Sequence, residues 1–142
     1  MAVPVPVRGL VISYAYLWET EHRRGQEDGL KDRPCVVVLA VETVGGKQRV
    51  TVAPITHTEP GNASDGIEVP LSTKRRLGLD EARSWIVVSE VNRFVWPGPD
   101  LRPLGPERFD YGVLPPVFFK QMLRRMADYL AVKRVSVVPR SA

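Results

Sequence analysis

The sequence predicts a mainly β fold with a C-terminal helix: a small curled antiparallel sheet or SH3-like barrel with the helix packed against it. Three observations lead there. Short runs rich in β-branched and aromatic residues recur along the chain, they do not alternate with helices in the βαβ manner, and one amphipathic helical pattern lies near the end.

Taken in order, "RGLVISYAYLW" (Arg8 to Trp18) has the composition of a strand. "ETEHRRGQEDGLKD" (Glu19 to Asp32) is charged and interrupted by Gly25 and Gly29, which predicts a long exposed loop of the kind that often carries function. "PCVVVLAVE" is apolar without alternation, so a strand covered on both faces is expected. "TVGGKQRVTVAPIT" supplies a Gly45-Gly46 turn and a return strand, the strongest local signal in the chain. After the loop "TEPGNASDG", "IEVPL" reads as an edge strand limited by Pro70, and "STKRRLGLD" as one helical turn capped by Ser72. "SWIVVSEVNRFVW" is one strand or a pair, and "PGPDLRPLGPE" a Pro-rich loop. From Pro115 to Leu130 a helix is expected, with Pro116 in its first turn and Phe119, Met122, Leu123, Met126 and Leu130 on one face.

The totals bound the function. A chain of 142 residues, 44% hydrophobic and 25% charged, is expected to form one domain over residues 1–142 rather than a disordered or fibrous polymer. No apolar run reaches the roughly 20 residues of a membrane helix, and "MAVPVPVRG" lacks the parts of a signal peptide, so a cytoplasmic location is expected. Cys35 is the single cysteine and His22 and His57 the two histidines, a poor supply for a zinc site, so neither metal nor cofactor is expected. Buried at the start of an apolar run, Cys35 should behave as a small core residue rather than a nucleophile, and His22 as a solvated loop residue. The formal charge of +4 favours anionic partners, nucleic acid first.

One charge is oddly placed. Arg33 stands at the mouth of the apolar strand, followed by Pro34. If Gly45 and Gly46 are the two turn residues, Arg33 faces Thr58 and Cys35 faces Thr56, so Arg33 and Thr56 are diagonal neighbours on one face. A guanidinium and a hydroxyl converging beside a basic loop suit a phosphate. The plainer alternative is that Arg33 pairs with Asp32 or Glu90 and Thr56 merely ends a strand.

In their order and spacing, "RGLVISY", a Gly-containing charged loop ending "DRPCVVVLAV", "VTVAPITHT", "SWIVVSEVNRF" and a terminal amphipathic helix resemble the MazF/PemK (Kid) family of type II toxin–antitoxin toxins. The resemblance implies a homodimeric SH3-like barrel that cleaves single-stranded RNA without metal, held inactive by a cognate acidic antitoxin. It carries the family's catalytic Arg-Pro onto Arg33 and its P-x-T hydroxyl onto Thr56. An arginine is too weakly acidic to serve as base, which leaves Glu27, His57 and Glu90 as candidates. Lys31, Lys74, Arg75 and Arg76 are cations able to track an RNA backbone, the last three reading equally as a solvated helical turn, with Arg93, Glu90 and Trp96 as further RNA contacts; Tyr14 and Phe94 could stack bases with Trp96 or pack in the core. Where some members carry an acidic D-Q-x-R-T-I-D segment, this chain keeps Arg93 but has Trp96 at the second acidic position, and "WPGPDLRP" extends the stretch before the helix. The rival expectations are a CcdB-like toxin that poisons DNA gyrase by binding, and a basic binding barrel without catalysis.

Overall fold

The computed structural model of the chain describes residues 3–26, 31–43, 45–133 and 135–140. Its strands are β1 (Leu10–Tyr14), β2 (Arg33–Glu42), β3 (Gln48–Thr56), β4 (Gly66–Glu68), β5 (Trp85–Val87), β6 (Glu90–Val95), β7 (Asp110–Val113) and β8 (Ser136–Pro139). Its helices are α1 (Glu19–Arg23), α2 (Leu71–Arg76) and α3 (Pro116–Val132). Antiparallel pairing gives the order β4-β5-β3-β2-β1-β7, while β6 pairs with β3 and, in parallel, with β8. The fold is therefore a mainly antiparallel β-sheet with a C-terminal helix, as the sequence predicts.

The apolar run of β2 reflects burial on two sides. Val36 joins Val11, Ala53 and Ile55 beneath α3, whereas Cys35 and Val37 join Ile12, Val50, Val52 and Phe94 in a second cluster. Successive side chains alternate between faces, so a strand covered on both must be apolar throughout.

The β2–β3 hairpin positions everything that follows. Gly45 and Gly46 adopt φ of 92° and 78°, a left-handed geometry closed to most other residues. Thr43 N–H donates to the Lys47 carbonyl at 2.6 Å, so three residues rather than two make the turn and opposing positions sum to 90, as in Glu42↔Gln48. A bulge at Val38 then shifts the sum to 89, giving Cys35↔Pro54. The expected pairing of Cys35 with Thr56 is thus corrected. The ladder between β2 and β3 ends at Cys35↔Pro54, short of Arg33 and Thr56.

At that end the strands part. β3 leaves β2 and pairs with β5 through Ile55↔Ile86 and Thr56↔Trp85, while Arg33 of β2 pairs with Tyr14 of β1. Pro34 and Pro54, which have no amide hydrogen, stand at the fork.

Other expectations need adjusting. The segment after Trp18 begins with α1 rather than loop, because Glu21 Oε1 accepts from Trp18 N at 3.0 Å and Glu90 Oε1 accepts from Glu19 N at 3.0 Å. α2 starts at Leu71 behind Pro70 with no side-chain cap, so Ser72 does not cap it. α3 buries Phe118, Met122 and Met126, and Leu130 is exposed. Positions 118 and 119 compete for one face at a period of 3.6 residues, and Phe119 instead lies half-buried under Arg8, 5.7 Å from its ring centre. No helix of the described residues is long and apolar enough to cross a membrane.

Candidate active site

Where β2 and β3 separate, a cavity of about 570 Å³ opens. Trp18 at the start of α1, Lys31 and Arg33 at the start of β2, and Thr56 and His57 at the end of β3 all line it. Glu59 and Asp65, from the segment after β3, add carboxylates to the lining. The electrostatics are mixed, so an anion would be held at particular donors rather than by a general positive field.

Arg33 is half-buried, with its guanidinium carbon 4.9 Å above the Trp18 ring. Such stacking fixes the plane of the fork without using its N–H groups. Arg33 Nε is buried with no hydrogen-bond partner among the described residues. Neither expected carboxylate engages it: Asp32 pairs with Arg102 (3.5 Å), and Glu90 Oε1 accepts from Glu19 N and from the Tyr16 hydroxyl at 3.1 Å. Burial pushes the Glu90 carboxyl above the ordinary carboxylate range. Glu90 thereby acts on the site indirectly, by seating the helix that carries Trp18.

Thr56 Oγ1 accepts from the Thr58 amide at 3.2 Å, which orients the hydroxyl and directs its hydrogen elsewhere. His57 also lines a second cavity of about 220 Å³ that shares Pro34, Ile55 and Thr56 with the first. Its Nε2 lies 2.9 Å from Asp80 Oδ2, and Asp80 Oδ1 is 2.7 Å from Lys74 Nζ. The lysine holds the Asp80 carboxyl below its usual range.

The remaining expected RNA contacts do not converge here. Lys74 is 2% exposed and donates to Asp80, to the Ala82 carbonyl and to Ser84 Oγ (2.6 Å), so its ammonium is committed internally and not presented to an RNA backbone. Arg75 is exposed and paired with Glu81 at 3.0 Å, and Arg76 is exposed on the same short helix. Arg93 is an exposed residue of β6 paired with Thr51, while Trp96 lines a separate cavity with Lys47 and Gln48 by the hairpin turn. Tyr14 and Phe94 are buried, their rings stacked 4.6 Å apart, and are core residues rather than base platforms. Glu27 lies outside the described residues. Cys35 is fully buried, which pushes its thiol pKa strongly upward and leaves it unreactive. Among the described residues no group of three or more His, Cys, Asp or Glu could hold a metal ion.

Sequence reasoning missed Trp18 and Asp80. Trp18 had a readable signal, since Glu21 three residues on has the spacing of a capping box. Asp80 had none: it meets His57 across 23 positions, and only the path of the chain after α2 brings them together.

A mainly antiparallel sheet with a C-terminal helix is consistent with the fold of the small toxins of type II toxin–antitoxin systems. The family model described as PemK-like, MazF-like toxin of type II toxin-antitoxin system matches residues 15–94, more than half of the 142, and the chain belongs to that family. The match spans Arg33, Thr56 and His57 and ends before β7 and α3. No match was found among curated proteins.

Proposed function

We propose that this toxin is an endoribonuclease that cleaves single-stranded RNA through attack of a 2′-hydroxyl on the adjacent phosphorus, leaving a 2′,3′-cyclic phosphate and a free 5′-hydroxyl. The observation that carries the reading is that Arg33 and Thr56 line one cavity, with the guanidinium stacked on Trp18 and its Nε unpartnered among the described residues.

As the 2′-oxygen bonds to phosphorus, negative charge grows on the non-bridging oxygens. Donors already fixed at those positions stabilise the transition state without reorganising, and loss of one such donor costs about 10²- to 10³-fold in rate. Arg33 would supply parallel N–H bonds to these oxygens and Thr56 a third from its hydroxyl. Lys31, exposed on the same cavity, would hold a neighbouring phosphate. The toxin acts in the cytoplasm as a homodimer under this reading, and a cognate acidic antitoxin silences it by covering the cavity.

Purified protein incubated with a long single-stranded RNA in chelator tests the proposal. Fragments whose 5′ ends accept phosphate from a polynucleotide kinase without prior dephosphorylation are expected, and Arg33→Ala should lose about 10²-fold or more of the rate. RNA left whole by the wild-type protein would contradict the reading, and RNA bound but uncut would assign a binding barrel in its place.

A further inference from the structure

The geometry points to a relay, Lys74–Asp80–His57, that makes His57 the general base of the cleavage and Asp80 and Lys74 its positioning residues; this rests on the RNA-cleaving function proposed above. Lys74 Nζ is almost wholly buried among three acceptors, so it is a fixed post rather than a mobile surface cation. Asp80 is pinned from one side, Oδ1 taking both Lys74 Nζ (2.7 Å) and the Ala82 amide (3.1 Å). His57 Nε2 sits against both oxygens of this carboxylate, 3.1 Å from Oδ1 and 2.9 Å from Oδ2.

A carboxylate accepts and does not donate, so the neutral imidazole carries its hydrogen on Nε2 and its lone pair on Nδ1. This is the tautomer a base needs, on a residue directly after Thr56 that lines the same cavity as Arg33. In the step, the 2′-hydroxyl proton passes to Nδ1 as O2′ bonds to phosphorus. The P–O5′ bond breaks with its electron pair on O5′, which takes a proton from water, and the imidazolium returns its proton to solvent. Other charges share the surroundings: Lys31, Asp32, Arg33, Glu59 and Asp65 around the larger cavity, and Tyr111 beside Lys74 and Asp80 in the smaller. Among the described residues, Asp80 is the charged group in contact with the ring.

The test combines pH–rate profiles for RNA cleavage with nitrogen-15 spectra of the imidazole in the absence of RNA, on the wild type, His57→Ala, Asp80→Asn and Arg33→Ala. The wild-type ring should be in the Nε2–H form, and Asp80→Asn, whose amide can turn its NH₂ toward Nε2, should move the hydrogen to Nδ1. His57→Ala should lose about 10²-fold or more of the rate together with the fall in rate at low pH. Asp80→Asn should lose about 10-fold or more, through the wrong tautomer. If Asp80→Asn melts below the assay temperature, His57→Ala, a change at an exposed side chain, decides. Wild-type rate and pH profile in both variants, with Arg33→Ala inactive, would overturn the relay and leave the phosphate grip standing. RNA untouched by the wild type would overturn the cleavage reading and the relay with it.

Discussion

Two arginines, Arg33 and Arg140, show how a cation left facing a cavity differs from one committed to the fold. Arg33 and Arg140 both lie over an aromatic ring, Trp18 at 4.9 Å and Tyr14 at 5.7 Å. There the likeness ends. The Arg140 side chain is 2% exposed and fully engaged: it pairs with Asp100 at 2.8 Å and donates to the Ala15 carbonyl at 2.9 Å and to Asn92 Oδ1 at 3.0 Å. Asn92, itself buried, is exchanged with the Leu17 backbone through its Oδ1 (2.9 Å) and Nδ2 (2.8 Å). Arg140 thus ties the end of β8 to the segment after β1. Arg33 stands at the rim of a cavity, stacked on its ring, with Nε unpartnered among the described residues. An unsatisfied buried donor costs stability, on the order of 1–3 kcal/mol, and such a cost persists where function recovers it.

The contrast is broken most sharply at the satisfied end. Arg140→Ala removes the 2.8 Å pairing with Asp100 and the bonds to Ala15 and Asn92, and should destabilise by about 3 kcal/mol, which for a domain of this size lowers the melting temperature by on the order of 10 °C. Thermal melts would show this, with cleavage per folded molecule unchanged. At the other end the pattern inverts. Arg33→Ala should remove about 10²-fold or more of the cleavage rate while leaving stability unchanged or raised by up to about 2 kcal/mol, because the lost cation–π contact is offset by removal of a buried unsatisfied donor. Thr56→Val, which keeps the shape and deletes the hydroxyl, should cost about 10²-fold in rate, the loss of one fixed donor.

The smallest effect is expected behind Trp18. Glu90 has its carboxyl raised by burial, so its folded-state pKa exceeds its unfolded value and its contribution to stability is greatest at low pH and lost as pH rises through the folded value. Glu90→Gln keeps an acceptor for Glu19 N and the Tyr16 hydroxyl without burying a charge. It should therefore be neutral or stabilising by under about 1 kcal/mol at pH 7, with the difference closing as pH falls below the ordinary glutamate range. Paired melts at pH 7 and pH 4 would read it.

The contrast between the arginines was only half legible in the sequence. Arg33 was visible because its neighbours are informative: a charge against "PCVVV", a proline after it, and a Gly-Gly hairpin that brings Thr56 alongside. The hairpin register was expected two positions out, since a turn of three residues and a bulge at Val38 leave no mark in residue type. Arg33 and Thr56 nonetheless line one cavity, although the ladder ends before either of them. Arg140, Asn92 and β8 were invisible. "KRVSVVPR" follows the helix as a short basic tail, and its parallel pairing with β6 depends on long-range contacts alone. Lys74 was misjudged for the related reason that a basic triplet reads as a solvated face unless one knows which member points inward. The fold class was legible because periodicity is local; the Lys74–Asp80–His57 line was not, because three segments contribute to it.

The central claim, that Arg33 and Thr56 together grip a phosphate of the RNA chain, is tested most directly by a crystal structure with a short RNA carrying 2′-O-methyl groups, which block the attack without removing the backbone. The account predicts a phosphate in the cavity beside Trp18, its oxygens within hydrogen-bond distance of the Arg33 guanidinium and the Thr56 hydroxyl. An RNA lying across Arg75, Arg76 or Arg93 with Arg33 still turned only to its tryptophan would contradict it.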